Sequence, residues 1–388
     1  MTERIYLDNA ATSWPKPEAV YVAVDQYLRH CGAPAGRSAY RDAVEAGRLV
    51  EGTRKKVADL IGAPDPKQVI FTANGTDSLN LALHGLLQES QHVITSECEH
   101  NSVLRPLRQL EQMRHISITR VACDRAGLIN PDDVENAIRT DTKLIVLIHA
   151  SNVTGAVQPL EDVGKIARRH GVCFLVDAAQ SVGHVPVSVT DLAADMLAAP
   201  GHKGLLGPLG TGVLYLAPGT DRRLLPLRQG GTGTQSESDE QPTALPDKFE
   251  SGNHNVPGIA GLGAGIAHLS ERGINSIRDE ERELTAMLLD GFRAIRGVTL
   301  YGPADADRQL GVVSISIDGY DPQEVATMLD TAYSIQVRSG LHCAPRMHKS
   351  LGTDALGGTL RFSLGSFSTQ EQIEATIRAV EEIAAAAM

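Results

Sequence analysis

The sequence has no tract of lysine and arginine, no Cys-x-x-Cys pair and no apolar stretch approaching the roughly 18 residues that a membrane-spanning helix needs. Each absence removes a class of function. Without a basic tract, and with a formal net charge of -11, the chain is a poor match for a phosphate backbone, so nucleic acid is not an expected partner. The five cysteines (Cys31, Cys98, Cys123, Cys173 and Cys343) are scattered and odd in number, which signals neither a disulfide framework nor a zinc site. No metal is expected, and most of these thiols are expected to be reduced and buried. The opening "MTERIYLDNAAT" lacks a basic segment followed by an apolar core, so a cytoplasmic protein with no membrane partner is expected. There is also no internal repeat and no low-complexity segment.

What is present is a chain of 388 residues, 42% hydrophobic and 21% charged, which suits a globular protein with a large core in two domains. Short apolar runs alternate with helix-like segments: "QVIFTA" (68–73), "HVITS" (92–96), "KLIVLIHA" (143–150), "VCFLVDAA" (172–179), "DMLAA" (195–199) and "GVLYLA" (212–217). Runs this apolar predict strands buried on both faces, hence an α/β fold with a mostly parallel sheet covered by helices. Between them "LEDVGKIARRHG" (160–171) has helical spacing and ends on a glycine suited to a C-cap. From about 219 to 258 the pattern dissolves into Gly, Ser, Thr and Pro, as in a functional loop or interdomain passage. Beyond it, helix-like "INSIRDEERELTAMLLDGFRAI", the alternation "GVVSISIDG" and the helix-like "STQEQIEATIRAVEEIAAAA" predict a smaller α+β domain.

Ligands of an open parallel sheet bind outside the carboxyl ends of its strands, so the residues just past each apolar run carry the functional signal. After "VIFTA", Gly75, Thr76 and Asp77 open a helix whose free N–H groups suit an anion. His100 follows "HVITS", Asn152 follows "LIVLIHA", and Asp177 and Gln180 follow "CFLV". Lys203 stands in "APGHKGLLGPLGTG" (199–212), where a phosphate-binding P-loop would place its lysine after the glycines and before Ser or Thr. Taken singly, these are ordinary residues: a helix cap, a structural histidine, a turn former, a surface lysine. Taken together, an anion cup, a flat imidazole, a buried carboxylate and a lysine describe a site for pyridoxal 5'-phosphate, with the carboxylate keeping the ring nitrogen protonated.

The stretches "YLDNAAT", "NGTDSLN", "ECEHNSV", "SNVTGAVQP", "VDAAQSVGHVPV", "GHKGLLGPLGTGVLY", "RSGLHCAP" and "LRFSLGSFST" together resemble the cysteine desulfurases of the class V aminotransferase family, in the selenocysteine lyase-like branch. The resemblance implies a fold-type I transferase dependent on pyridoxal 5'-phosphate. Its expected division is an N-terminal segment (1–20) packing near the small domain, a large cofactor-binding domain (21–250) and a small C-terminal domain (251–388). It implies that Lys203 holds the cofactor and later moves the Cα proton, that Asp177 partners the ring nitrogen, that Gln180 donates to the ring hydroxyl oxygen and that His100 stacks on the ring beside Asn152. Gly75, Thr76 and His202 resemble phosphate ligands, and Arg361 the clamp for the substrate carboxylate, with Arg338 and Asn152 also at the substrate.

One departure matters. Desulfurases commonly read Ser-x-His-Lys, whereas this chain reads Pro200-Gly201-His202-Lys203, and proline offers neither a hydroxyl nor an N–H. The resemblance implies a homodimer whose equivalent loop reaches the partner's phosphate, so Thr232 and Thr234 in "GGTGTQSES" are the candidates for the missing contact. The reaction turns on Cys343, which sits in a Gly- and Pro-punctuated loop beside His342 and five positions after Arg338, an electropositive setting that favours thiolate. The resemblance implies that Cys343 attacks the substrate sulfur of L-cysteine, giving L-alanine and a persulfide, with a possible sulfur-acceptor protein. Selenocysteine lyase, another lyase or aminotransferase that ignores Cys343, and an inactive sulfur-carrier scaffold are the alternatives.

Overall fold

All six apolar runs are strands of one seven-stranded sheet in the computed structural model, which describes residues 4–36, 38–235 and 237–386. In spatial order the strands are Val69–Thr72, Gly212–Leu216, Met196–Pro200, Cys173–Asp177, Thr142–Ile148, His92–Ser96 and Ser117–Val121. Gly212–Leu216 runs antiparallel to both neighbours and the remaining pairs are parallel. Four of the five inner strands are buried throughout, and Thr142–Ile148 is buried from Leu144 onward, as continuous apolar runs require. Ser117–Val121 escapes the apolar-run criterion because it is a half-buried edge strand.

Helices cover both faces. Gly75–Leu86 and Asn101–Arg114 pack Leu79, Leu83, Val103 and Leu107 against one side, in a core shared with Val146 and Leu175. Arg41–Ile61, Leu160–His170 and Val256–Arg272 bury Val57, Val163 and Leu262 in the other, with Ile145 and Phe174.

The last of these helices corrects the expected boundary at 250/251. Val256, Ile259, Leu262, Ile266 and Leu269 belong to the core of the large sheet, so the large unit runs past residue 250. The glycines of "VPGIAGLGAGIAHL" explain why: a Cβ on Gly263 would lie 2.4 Å from Thr53 Oγ1, and one on Gly261 2.9 Å from Val24. The helix is glycine-rich because it packs closely, not because it links domains.

The small unit begins within Ile274–Ala294, which contributes Leu288 and Phe292 to a separate core with Val313, Ile315, Phe362 and Val380. Its antiparallel sheet runs Arg338–Gly340, Thr359–Ser363, Val312–Ile317 and Val298–Tyr301. The N-terminal strand Ile5–Tyr6 pairs with Ile335–Gln336, and Leu7 enters this same core.

A buried ion pair ties the two units. His184 Nδ1 lies 2.6 Å from Glu281 Oε2, while Glu281 Oε1 accepts from Gly311 N at 2.6 Å. Burial pulls the His184 pKa down, but the charge and hydrogen bond of Glu281 outweigh it and hold the imidazole above its ordinary value. A raised folded-state value contributes stability that is complete below the unfolded value of ~6.5 and is lost as pH rises through the folded value. We expect His184→Leu to cost about 3–5 kcal/mol at pH 6, because Glu281 is left buried without its partner. Thermal denaturation across pH 6 to 9 checks this: the deficit of the variant should shrink as pH rises, and a pH-independent deficit would contradict it.

Candidate active site

The carboxyl edge of the large sheet opens into a cavity of about 230 Å³, closed on its far side by the Arg338 and Arg361 strands of the small unit. At its floor, Gly75 and Thr76 begin the helix Gly75–Leu86, capped by Asn74, whose side chain accepts from Asp77 N at 2.9 Å. Gly75 packs tightly, since a Cβ would meet Pro200 Cδ at 3.1 Å and Pro200 N at 3.3 Å. The proline that replaces the expected serine therefore packs directly on the helix start. Uncompensated N–H groups there suit an anion.

A short relay fixes His100. Thr76 Oγ1 lies 2.7 Å from Ser102 Oγ, which lies 2.9 Å from His100 Nδ1, and that nitrogen also accepts from Ser102 N at 3.0 Å. Nδ1 is thus the acceptor, which leaves the proton of the neutral ring on Nε2. Burial first, then the charges of Lys203 and Arg338, hold the imidazole down to about 4.

Asp177 ends its strand 2% exposed and accepts one hydrogen bond, from Ala179 N at 3.0 Å. Burial pushes its carboxyl up, while that bond and the nearby Lys203 oppose the shift. Lys203 follows the neighbouring strand. Burial holds its ammonium down to about 8; Asp177 acts the other way, and Arg361 and Arg338 add to the depression. Gln180 faces the same cavity and gives one amide hydrogen to Ala10 O at 3.0 Å.

Arg361 is 1% exposed, with Nη2 2.6 Å from Asp8 Oδ1 and Nη1 donating to Asn152 O at 3.0 Å. It stands directly opposite Arg338 across two antiparallel strands. Like charges so placed repel, and an anion between them relieves the repulsion. Around the same cavity Asn152 Oδ1, His202 Nδ1 and Arg361 Nε are buried with no hydrogen-bond partner among the described residues. Buried polar atoms are ordinarily paired, so this cluster of orphans marks where a polar ligand fits.

Cys343 is not among the residues that line the cavity; it is half-buried, and Arg338, which does line it, donates from Nη2 to the Cys343 Sγ at 3.5 Å. The expected help from His342 is not there. That ring turns inward, Nε2 donating to Thr359 O at 3.1 Å, and burial, with Arg361, His348 and Arg338, lowers it to about 2. His342 contributes its carbonyl instead, which accepts from Asn152 Nδ2 at 2.6 Å. Thr232 and Thr234 are not on the cavity wall of this chain. They are bonded to each other at 3.0 Å, and Thr234 donates to Asp247 at 2.9 Å.

A sequence model of the aminotransferase class-V family matches residues 5–376. The chain belongs to the class-V aminotransferase family. Among curated proteins it is 37% identical over 388 residues to a probable cysteine desulfurase of Methanothermobacter thermautotrophicus, covering 99% of this chain and 96% of that one. It is 33% identical to the cysteine desulfurase IscS of Dictyoglomus turgidum, covering 99% and 95%. A solved apo structure of cysteine desulfurase from Thermococcus onnurineus superposes with a TM-score of 0.93 at 36% identity, over 99% of this chain and 95% of that one.

The sequence reading missed Asp8, which holds Arg361, Asn74, which caps the helix that begins at Gly75, and Ser102, which links Thr76 to His100. Asp8 stood in the quoted "YLDNAAT", but its partner Arg361 is 353 positions away, beyond any spacing signal. The low values of His100 and His342 predict that both rings are uncharged above about pH 5. Side-chain nitrogen NMR at pH 6 checks it: His100 should show the neutral Nε2–H form, and an imidazolium there would contradict the account.

Proposed function

We propose that this chain is a cysteine desulfurase dependent on pyridoxal 5'-phosphate, converting L-cysteine to L-alanine and leaving the sulfur on Cys343 as a persulfide. The observation that carries the reading is the Arg338–Arg361 pair: one guanidinium reaches the Cys343 sulfur while its cross-strand partner lines the cavity that holds Lys203. The orphaned polar atoms and the Asp177 carboxyl on the cavity wall fit the cofactor's polar periphery. When bound, the cofactor supplies the electron sink that weakens bonds at the substrate Cα.

The residues have these roles. Lys203 holds the cofactor and then carries the Cα proton, a task suited to an amine whose pKa lies near 8. Asp177 would partner the ring nitrogen, Gln180 the ring hydroxyl oxygen, and His100 would support the ring. Gly75, Thr76 and His202 receive the phosphate. Arg361, beside Asn152, takes the substrate carboxylate as a planar fork. The Cys343 thiolate attacks the substrate sulfur; an S–S bond forms, the C–S bond breaks, and its electron pair stays on the carbon that takes up a proton to become alanine.

The exposed side chains Tyr21, Val22 and Leu28 on helix Glu18–His30, with Tyr40 and Val44 nearby in sequence, support a homodimer. In it Thr232 and Thr234 reach the partner's phosphate and replace the contact absent at Pro200. Among the described residues no helix is long and apolar enough to cross a membrane. The reading includes a cytoplasmic setting and a sulfur-acceptor protein, with L-selenocysteine as a second substrate.

Cys343→Ala tests the reaction. Given labelled L-cysteine, the wild type should acquire protein-bound sulfane sulfur and release alanine, whereas the variant should bind cysteine with a visible spectral change yet lose alanine release by at least 100-fold. Wild-type turnover in the variant, or pyruvate and free sulfide from the wild type, would make the chain a lyase or aminotransferase that ignores Cys343. An absence of any turnover in the wild type with cofactor bound would leave the scaffold reading.

A further inference from the structure

Lys16, in "TSWPKPEA", is a partly buried ammonium with no carboxylate within ion-pair distance among the described residues. Burial alone holds it down to about 8, and no anion offsets the cost. A cation kept in such surroundings is there for what it donates to. Its Nζ donates to His202 O at 2.8 Å and to Ser13 Oγ at 2.6 Å.

The Ser13 hydroxyl has one hydrogen. Oxygen atoms lie 2.8 Å away at Lys203 O and 3.1 Å away at His202 O. Since Lys16 already serves His202 O, the consistent arrangement has the hydroxyl accepting from Lys16 and donating to Lys203 O. Ser13 N, at 3.1 Å, completes the bonding at His202 O, with Thr12 Oγ1 at 3.2 Å. The carbonyls on both sides of the Lys203 α-carbon are therefore gripped from one ammonium, the first directly and the second through Ser13, with Leu206 N also donating to Lys203 O at 2.9 Å.

We infer that Lys16 is a positioning residue, whose ammonium fixes both carbonyls bracketing Lys203 and so aims that side chain into the cavity. The inference rests on the reading of Lys203 as the reactive lysine. Lys203 has a demanding task in that reading, because its amine must reach the cofactor and later the substrate Cα from one backbone anchor. Its Nζ makes no hydrogen bond to the described residues, so the backbone grip is what restrains it. The grip comes from a segment whose other end holds Arg361 through Asp8. One strap thus sets the lysine and the carboxylate clamp at a fixed separation, and small misplacements of reacting groups are costly in rate.

The test uses the full-length protein with Lys16→Met, Lys16→Arg and Ser13→Ala. Thermal stability is measured without cofactor, pyridoxal 5'-phosphate uptake by visible absorbance, and turnover of L-cysteine with kcat and KM separated. For Lys16→Met we expect kcat to fall at least tenfold with KM within threefold. The pH midpoint for cofactor uptake should rise by at least half a unit, because a loosened Lys203 is better solvated. Lys16→Arg, which keeps the charge and the donors, should restore kcat to within threefold, and Ser13→Ala should fall between the two. Unchanged kcat and midpoint in Lys16→Met would overturn the inference, as would lost thermal stability with normal kcat in the folded fraction. Failure of the wild type to take up cofactor on Lys203 would instead overturn the underlying reading, and the inference with it.

Discussion

A lysine amine is useful near neutral pH only if it is kept from water and from too much negative charge, and Lys203 is kept from both. Burial is the dominant effect on it, with Arg361 and Arg338 adding to the depression and Asp177 and Asp8 restraining it. The balance leaves the amine near 8, in reach of both protonation states. The surroundings share this electrostatic plan. His100 and His202 are each held down to about 4, first by burial and then by Lys203, so they add no further positive charge to the cavity. The cationic charge that remains, on Lys203, Arg338 and Arg361, suits a ligand with a phosphate and a carboxylate.

The fold supplies this arrangement by topology. Parallel strands place His100, Asn152, Asp177 and Lys203 at one edge of the large sheet, Asp177 as the last residue of its strand and the others just past theirs. The arginines come from a second sheet with its own core. What holds the two at working distance is the N-terminal strap: Asp8 binds Arg361, Ser363 Oγ accepts from Ala10 N, and Ser13 and Lys16 bind the carbonyls of His202 and Lys203. The His184–Glu281 pair is a second tie, close enough to Lys203 for its charge to bear on His184.

Much of this was legible in the sequence, for a physical reason. Strands buried on both faces must be apolar throughout, so the five inner strands, and with them the largely buried edge strand Val69–Thr72, announced themselves, and the strand-end rule then picked out the wall residues. The half-exposed edge strand Ser117–Val121 has no such signature. Strand Thr359–Ser363 hides a fully buried arginine, which the resemblance marked as a carboxylate clamp but whose partners Asp8 and Asn152 lie too far along the chain to leave a local signal. The domain boundary was set within the Gly-, Ser-, Thr- and Pro-rich passage 219–258, whereas the helix that follows it, Val256–Arg272, packs in the core of the large sheet. His342 was credited with a charge that burial, with Arg361 nearby, denies it. Contacts across more than 180 residues, such as Ser13 with Lys203, leave no trace in local spacing.

The central claim is that Lys203 is the covalent anchor for the cofactor, and reduction tests it most directly. The purified protein, supplied with pyridoxal 5'-phosphate, should be yellow, and borohydride should bleach it and fix one cofactor on the peptide containing Lys203. A colourless protein under excess cofactor, or label fixed on Lys16 or another lysine instead, would contradict the account.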